Sequence, residues 1–210
     1  MKRHCITILS FLFAVVAHAQ LPHSTNLIKN PSFEEEAKPI RNRRFGPNGE
    51  GELFGGNVPA GVILGWILPE GYLDASEMDI VTEGLLDTTQ HKALRWTIIK
   101  ATAATPAMIA NVGNQGIEVM EGHRYTLTFW ARADKKYKGK IRVGLQSKSD
   151  NTWYAQAAVR GKVKKRWKRH SITFTAEGND PKVRLAMLAD KPGAIYLDCV
   201  SLTAVNQEFR

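Results

Sequence analysis

Cysteine is nearly absent: the chain has two, Cys5 and Cys199, and Cys5 lies in an N-terminal segment built like a cleaved leader. Once that segment is gone no intrachain disulfide can form, even in an oxidising compartment, and Cys199 is expected to be a small buried hydrophobe. Outside the first twenty residues no apolar run approaches the roughly 20 residues that a membrane-crossing helix needs. No apolar period of 3.6 persists for three turns, which excludes a helical domain. Internal repeats, low-complexity tails and linkers are missing too, and one domain is the reading.

Catalytic signatures are equally scarce. The chain has no HExxH, GxSxG or GxxxxGK motif, and Gly49-Glu50-Gly51 leads to Phe54 where a dinucleotide fingerprint needs glycine. His23, His91, His123 and His170 lack metal-ligand spacing. No helix-turn-helix or zinc finger accompanies the net charge of +9, so nucleic acid is not an expected partner.

What remains is an ordinary globular composition, 43% hydrophobic and 23% charged over 210 residues, enough for a substantial core. Lys2, Arg3 and His4 precede a mostly apolar run from Cys5 to Ala17, and Ala17-His18-Ala19 then offers small residues at the positions a signal peptidase reads. The expectation is a signal peptide over 1–19, cleavage before Gln20, and a single domain over 20–210 that is secreted, periplasmic or held at the cell surface.

Residues 26–34 read as a short strand, a proline turn and a second short strand. From Pro39 to Asp74 glycine and proline are dense, and Phe45, Phe54, Trp66 and Tyr72 lie among them, the make-up of an ordered binding loop. From Met78 onward period-two alternation takes over. Leu94, Trp96 and Ile98 share a face, as do Tyr125, Leu127, Phe129 and Ala131, then Ile141, Val143 and Leu145, then Ile172 and Phe174, then Val183, Leu185 and Met187. The last strand runs from Ala194 to Leu202. Short alternating strands punctuated every 8–12 residues predict an all-β antiparallel sandwich.

Five segments in order carry a resemblance. Asn26-Leu27-Ile28-Lys29-Asn30-Pro31-Ser32-Phe33-Glu34, Gly65-Trp66, the Tyr125–Arg132 strand, Trp167–Thr175 and Ile195–Leu202 together resemble a CenC-type carbohydrate-binding module of families four and nine. The modules preceding bacterial α-L-arabinofuranosidases are the most similar in this reading. The resemblance implies a jelly-roll sandwich, galactose-binding-domain-like, that binds polysaccharide without cleaving it. It further implies a structural calcium ion between the first and last strands, held by the Glu34 and Asp198 side chains with backbone oxygens of Ser32 and Lys92. Cys199 stands where that family has a second acid.

Sugar rings offer flat C–H faces that stack on exposed aromatic side chains while polar groups bond the hydroxyls. Trp153 and Tyr154 are adjacent and follow the turn-forming Ser149-Asp150-Asn151, so one of the pair is expected to leave the core side. Trp130 faces away from Leu127 and Phe129 and is expected beside Arg142, Gln146 and Arg184, a second platform with polar donors. Packing is the competing role for Trp130, and the expected role for Trp66, Trp96 and Trp167. Each aromatic buried against ligand is worth ~1.5–3 kcal/mol. Two of them with a few hydrogen bonds, less ordering costs, give about 4–6 kcal/mol and millimolar to tens of micromolar affinity.

Basic residues cluster at Lys162, Lys164, Lys165, Arg166, Lys168 and Arg169, at Lys135, Lys136, Lys138 and Lys140, and at Arg41, Arg43 and Arg44. They suit either a solvated sheet edge or an acidic polysaccharide. Asp74, Glu77, Asp79, Glu34 and Glu118 are glycosidase candidates by residue type alone. The expected function is an exported, non-catalytic polysaccharide binder, acting alone or beside a separate glycoside hydrolase. A protein-interaction or surface-assembly module, and a small jelly-roll lyase or hydrolase, are the two rivals.

Overall fold

Burial follows the alternation. In β6 (Arg124–Ala133) Tyr125, Leu127, Phe129, Ala131 and Ala133 are buried and the residues between them are not. The computed structural model describes residues 25–36 and 63–205, and places eleven strands and no helix among them. The segment expected to be a leader, the 39–62 part of the glycine-rich stretch with Phe45 and Phe54, and Arg41, Arg43 and Arg44 lie outside the described residues.

The strands form two antiparallel sheets packed face to face, the jelly-roll sandwich expected. The front sheet runs β1 (Trp66–Ile67), β4 (Ala107–Asn111), β10 (Asp180–Ala189), β7 (Ile141–Ser147) and β8 (Trp153–Ala158), with β5 (Ile117–Val119) paired to the start of β10. The back sheet runs β2 (Ser76–Val81), β3 (Ala93–Ile98), β11 (Gly193–Val205), β6 and β9 (Lys168–Thr175). Leu94, Trp96, Leu127, Phe129 and Leu197 of the back sheet meet Ile109, Val143, Leu145, Leu185 and Met187 of the front in one core. Each fully buried large side chain contributes about 1.5–3 kcal/mol.

Residues 26–34 depart from the expected pair of short strands. Pro31 has no N–H to give a ladder, and Asn30 and Phe33 sit in left-handed conformations, φ 51° and 62°. Two backbone bonds to β11 remain, Leu27 N–H to the Leu202 carbonyl and Val200 N–H to the Pro31 carbonyl, and side chains supply the rest of the pairing. Asn26 Oδ1 accepts from the N–H groups of Ile28 and Leu202, and its Nδ2 donates to the Val200 carbonyl. The segment thereby continues alongside β11 beyond the point where β3 stops at Leu94.

The same segment is fastened to the front sheet. Asn111, fully buried at the end of β4, donates from Nδ2 to the Lys29 carbonyl at 2.8 Å and accepts the Lys29 and Gly113 N–H groups on Oδ1. Trp66 Nε1 donates to the Asn30 carbonyl, and the Trp66 ring lies 5.2 Å from that of Phe33. One short segment thus bridges both sheets. Asn111→Ala removes three hydrogen bonds and strands buried partners, and a loss of about 2–4 kcal/mol is expected in urea unfolding, with the slope of the transition unchanged.

Candidate functional site

A β-bulge positions the principal aromatic. Along β7 and β8, Val143 pairs Ala157 and Leu145 pairs Ala155, but the next residue, Gln146, pairs Trp153, so Tyr154 is the extra residue. Without it Trp153 would share a face with Ala155 and Ala157, towards the core. The bulge turns Trp153 to the outer face of the front sheet, as bulges near binding sites commonly re-aim a side chain.

There Trp153 lies over Gly144. A Cβ on residue 144 would come within 2.9 Å of the indole, so glycine is what allows the ring to lie against the sheet. The floor is apolar: Met108, Ala186 and Leu188 are buried on this outer face, with Tyr72 and Trp153 packed on them.

A polar network borders the floor. Arg184 is only 9% exposed, and its Nε and Nη2 both donate to Gln146 Oε1 at 3.0 and 2.8 Å. Nη2 also donates to Asn151 Oδ1 at 2.6 Å, and Gln146 Nε2 donates to the Asn151 carbonyl. Asn151 holds φ 63°, a conformation asparagine tolerates, and so presents both oxygens to the network. Burial pulls the Arg184 guanidinium below its ordinary pKa. Among the described residues no carboxylate forms an ion pair with it. A nearly buried cation satisfied by amide oxygens is a fixed donor for hydroxyl groups.

Arg142 pairs Leu188 and Ala158 two positions along from Gly144, exposed on the same face. Arg142, Gln146 and Arg184 are therefore brought together as the alternation implied, and through the bulge Trp153 is brought to the same face. Trp130 is not. It lies on the outer side of the back sheet, between Asp198 and Arg169 in register, because β6 and β7 belong to different sheets although they are consecutive. Tyr154 packs at the edge of the core beside Gly178 and does not accompany Trp153. Sequence reasoning took Asn151 as a turn residue and passed over the floor. The glycine inside β7 was the available signal, since a strand glycine marks close approach.

The other tryptophans pack. Trp96 is fully buried and Trp66 nearly so. Trp167 Nε1 and Arg132 Nε both donate to the Gly84 carbonyl, and the Arg132 guanidinium rests 3.6 Å from the Tyr196 ring centroid. This is a staple across the back sheet.

A second bulge, in β11 between Asp198 and Ser201, creates the other unusual centre. Asp198 is fully buried, and Oδ1 accepts the Cys199 N–H at 2.7 Å while Oδ2 has no hydrogen-bond partner. Burial, with smaller contributions from the charges of Glu34 and Asp87, pushes its carboxyl up to about 6. Glu34 Oε1 accepts the N–H groups of His91 and Lys92 at 2.8 and 2.9 Å. Among the described residues no three acidic, imidazole or thiol groups converge on one point. An orphaned buried carboxylate oxygen fits a hard cation, and calcium completes its shell with backbone oxygens, so the donor set suits calcium better than zinc. Cys199 is only half-buried at the bulge, φ 48°, not the buried hydrophobe expected, and burial beside Asp198 pushes its thiol up to about 11.

A family model described as a carbohydrate binding domain matches residues 25–192. Among curated proteins there is no match. Solved structures share the fold. An arabinose-bound α-L-arabinofuranosidase is 14% identical with a TM-score of 0.64, over 88% of this chain but 27% of its own, so the chain spans about a quarter of that protein. A cyclase from Fischerella sp. TAU is 17% identical with a TM-score of 0.55, over 89% of this chain and 100% of the other. A protein suggested to bind sugar, from Bacteroides thetaiotaomicron VPI-5482, is 17% identical with a TM-score of 0.52, over 86% and 100%. At such identities the likeness speaks for the fold alone.

The Asp198 centre makes stability depend on pH. Its folded pKa of about 6 lies above the ordinary 3.8, so between those values the folded chain keeps a proton that the unfolded chain has lost. Stability therefore falls as pH rises through that window, by on the order of 3 kcal/mol for a shift of about two units. His170, lowered by burial, acts in the opposite direction, so the comparison is with Asp198→Asn. In chelator, the stability of Asp198→Asn relative to wild type is expected to climb between pH 4 and pH 7 in denaturant titrations; a flat difference contradicts the assignment.

Proposed function

The chain belongs to the carbohydrate-binding domain family, and from that premise we propose that it binds a neutral polysaccharide across the outer face of the front sheet without cleaving it. The observation that carries this reading is the Trp153 ring laid on Gly144 beside the Arg184–Gln146–Asn151 network. A pyranose stacks on the indole, Tyr72 borders the apolar floor, and Arg184, Gln146, Asn151 and Arg142 supply hydrogen bonds to hydroxyl groups. Binding without cleavage is supported by the separation of functions in the fold. Among the described residues the carboxyl raised towards neutrality, as a general acid needs, is Asp198 in the back sheet, not a group beside Trp153. Asp150, in the turn next to Trp153, is held below its ordinary pKa by Thr152 and stays ionised.

Two further parts of the reading concern the protein's setting. A calcium ion at Asp198 and Glu34, with backbone oxygens of Ser32 and Lys92, is structural: it neutralises a buried carboxylate and stabilises the folded state by linkage. The 1–19 leader directs export, which suits a ligand found outside the cell. A separate glycoside hydrolase acting on the same polymer is the natural partner for a weak binder.

Trp153→Ala is expected to lower affinity for neutral arabinoxylan or β-glucan by about 1.5–3 kcal/mol, roughly ten- to a hundredfold, in affinity electrophoresis, with Trp130→Ala close to wild type. Binding that survives Trp153→Ala rejects the platform, and sugar release from either polymer rejects the non-catalytic reading. Millimolar calcium at pH 7.5 is expected to raise the melting temperature of wild type and not of Asp198→Asn, read by differential scanning fluorimetry.

A further inference from the structure

The end of the sandwich remote from Trp153 gathers basic residues that the sequence keeps in separate groups. Three connections meet there: 134–140 between β6 and β7, 159–167 between β8 and β9, and 190–192 between β10 and β11. They are fastened to one another. The Ala133 N–H donates to the Lys164 carbonyl at 2.9 Å, Asp134 N–H to Ala194 at 2.9 Å, and Lys140 N–H to Asp190 Oδ1 at 2.7 Å. Tyr137 is buried beneath them and donates its hydroxyl to the Lys140 carbonyl. Gly193, at φ 134°, lets the last turn close against the Tyr137 backbone, where a Cβ would stand 2.4 Å from the amide nitrogen.

The two local acids, Asp134 and Asp190, are tied into this scaffolding and are outnumbered by the lysines around them. Asp134 Oδ1 accepts the N–H groups of Lys136 and Tyr137, and Asp190 accepts that of Lys140. Among the described residues no ion pair reaches a lysine of these connections. The lysines instead surround two adjoining hollows. One, of about 510 Å³, is lined by Lys136, Lys138 and Lys191; the other, of about 410 Å³, by Lys135, Lys138, Lys162, Lys164 and Lys165. Asp134 and Lys138 line both, so the hollows are neighbours.

We propose that this lysine-lined end is a second binding site, for an acidic polysaccharide whose carboxylate or sulfate groups seat in the two hollows. Like charges held together on tied-down turns leave a positive potential that a regularly charged chain relieves. The chemistry of the lining selects among polyanions. Arginine, whose planar fork suits phosphate, lines neither hollow, and the only aromatic there, Tyr137, is buried, so nucleotide bases have no stacking platform. Lysine ammonium groups act as point charges suited to spaced carboxylates or sulfates. The site is independent of Trp153, which lies at the other end of β7.

The test is fluorescence anisotropy of the full chain with labelled oligogalacturonate, a labelled sulfated oligosaccharide and a single-stranded oligonucleotide of equal charge. Two exposed-lysine variants are compared, Lys136→Gln/Lys138→Gln/Lys191→Gln and Lys162→Gln/Lys164→Gln/Lys165→Gln. Each is expected to weaken binding of an acidic glycan about tenfold while leaving neutral-glycan binding and melting temperature unchanged. Trp153→Ala is expected to change acidic-glycan binding less than about twofold, and raising salt from about 0.01 to about 0.15 M to weaken it steeply. The uronate and sulfate arms decide which anion is preferred. Wild-type affinity in both lysine variants, loss of acidic-glycan binding in Trp153→Ala, no binding of either acidic glycan, or tighter binding of the oligonucleotide than of both glycans overturns the proposal.

Discussion

One extra residue in β8 decides which aromatic the outer face of the front sheet carries. With a regular ladder Trp153 would point into the sandwich with Ala155 and Ala157, and Tyr154 would take the outer face in its place. The bulge at Tyr154 reverses this parity, and Gly144 opposite supplies the space for an indole to lie flat. The polar network follows from the same irregularity. The turn that feeds the bulge places Asn151 in a left-handed conformation, from which it meets both Gln146 and Arg184. Burying a guanidinium without a carboxylate is costly, and amide oxygens offset only part of that cost.

The back sheet repeats the device with a different result. Its bulge in β11 buries Asp198 with one oxygen unpartnered, while the 26–31 segment, carried by asparagine side chains, runs past it from β11 to β4. A cation there would neutralise a carboxylate and fix the segment that joins the two sheets, two effects in one place. The three unusual regions of the molecule, the front face, the Asp198 centre and the lysine-lined end, thus lie at separate places on a regular frame. Each is made by an irregularity: a bulge, a bulge with a positive φ, and a set of turns locked on Tyr137.

Much of the frame was legible because one side of most strands is solvated. β3, β6, β7 and the inward set of β10 could be read residue by residue from alternation. β4 could not, since Ala107 to Asn111 are buried on both faces and show no period. Residues 26–34 looked like strands, but Asn30 and Phe33 turn the chain at positive φ, and asparagine side chains share its hydrogen bonding with the backbone pairs Leu27–Leu202 and Pro31–Val200. The candidate site was half legible. Residue type and period put Arg142, Gln146 and Arg184 on one face, but beside Trp130; that Trp153 joins them and Tyr154 does not rests on a bulge that leaves no mark in the pattern. Trp130 was misplaced for a topological reason: β6 and β7 read as neighbours along the chain, and the connection between them crosses from one sheet to the other.

The most direct test of a ligand site on the front sheet is the set of indole N–H resonances, five tryptophans giving five signals, followed while a neutral xylo- or cello-oligosaccharide is titrated. The account predicts that the Trp153 signal and the backbone amides of Gly144, Asn151 and Ala186 shift together with one saturation curve, while those of Trp130, Trp96 and the 134–140 turn stay in place. Shifts centred on Trp130 and the outer back sheet, or none on the front face at saturating sugar, would contradict it.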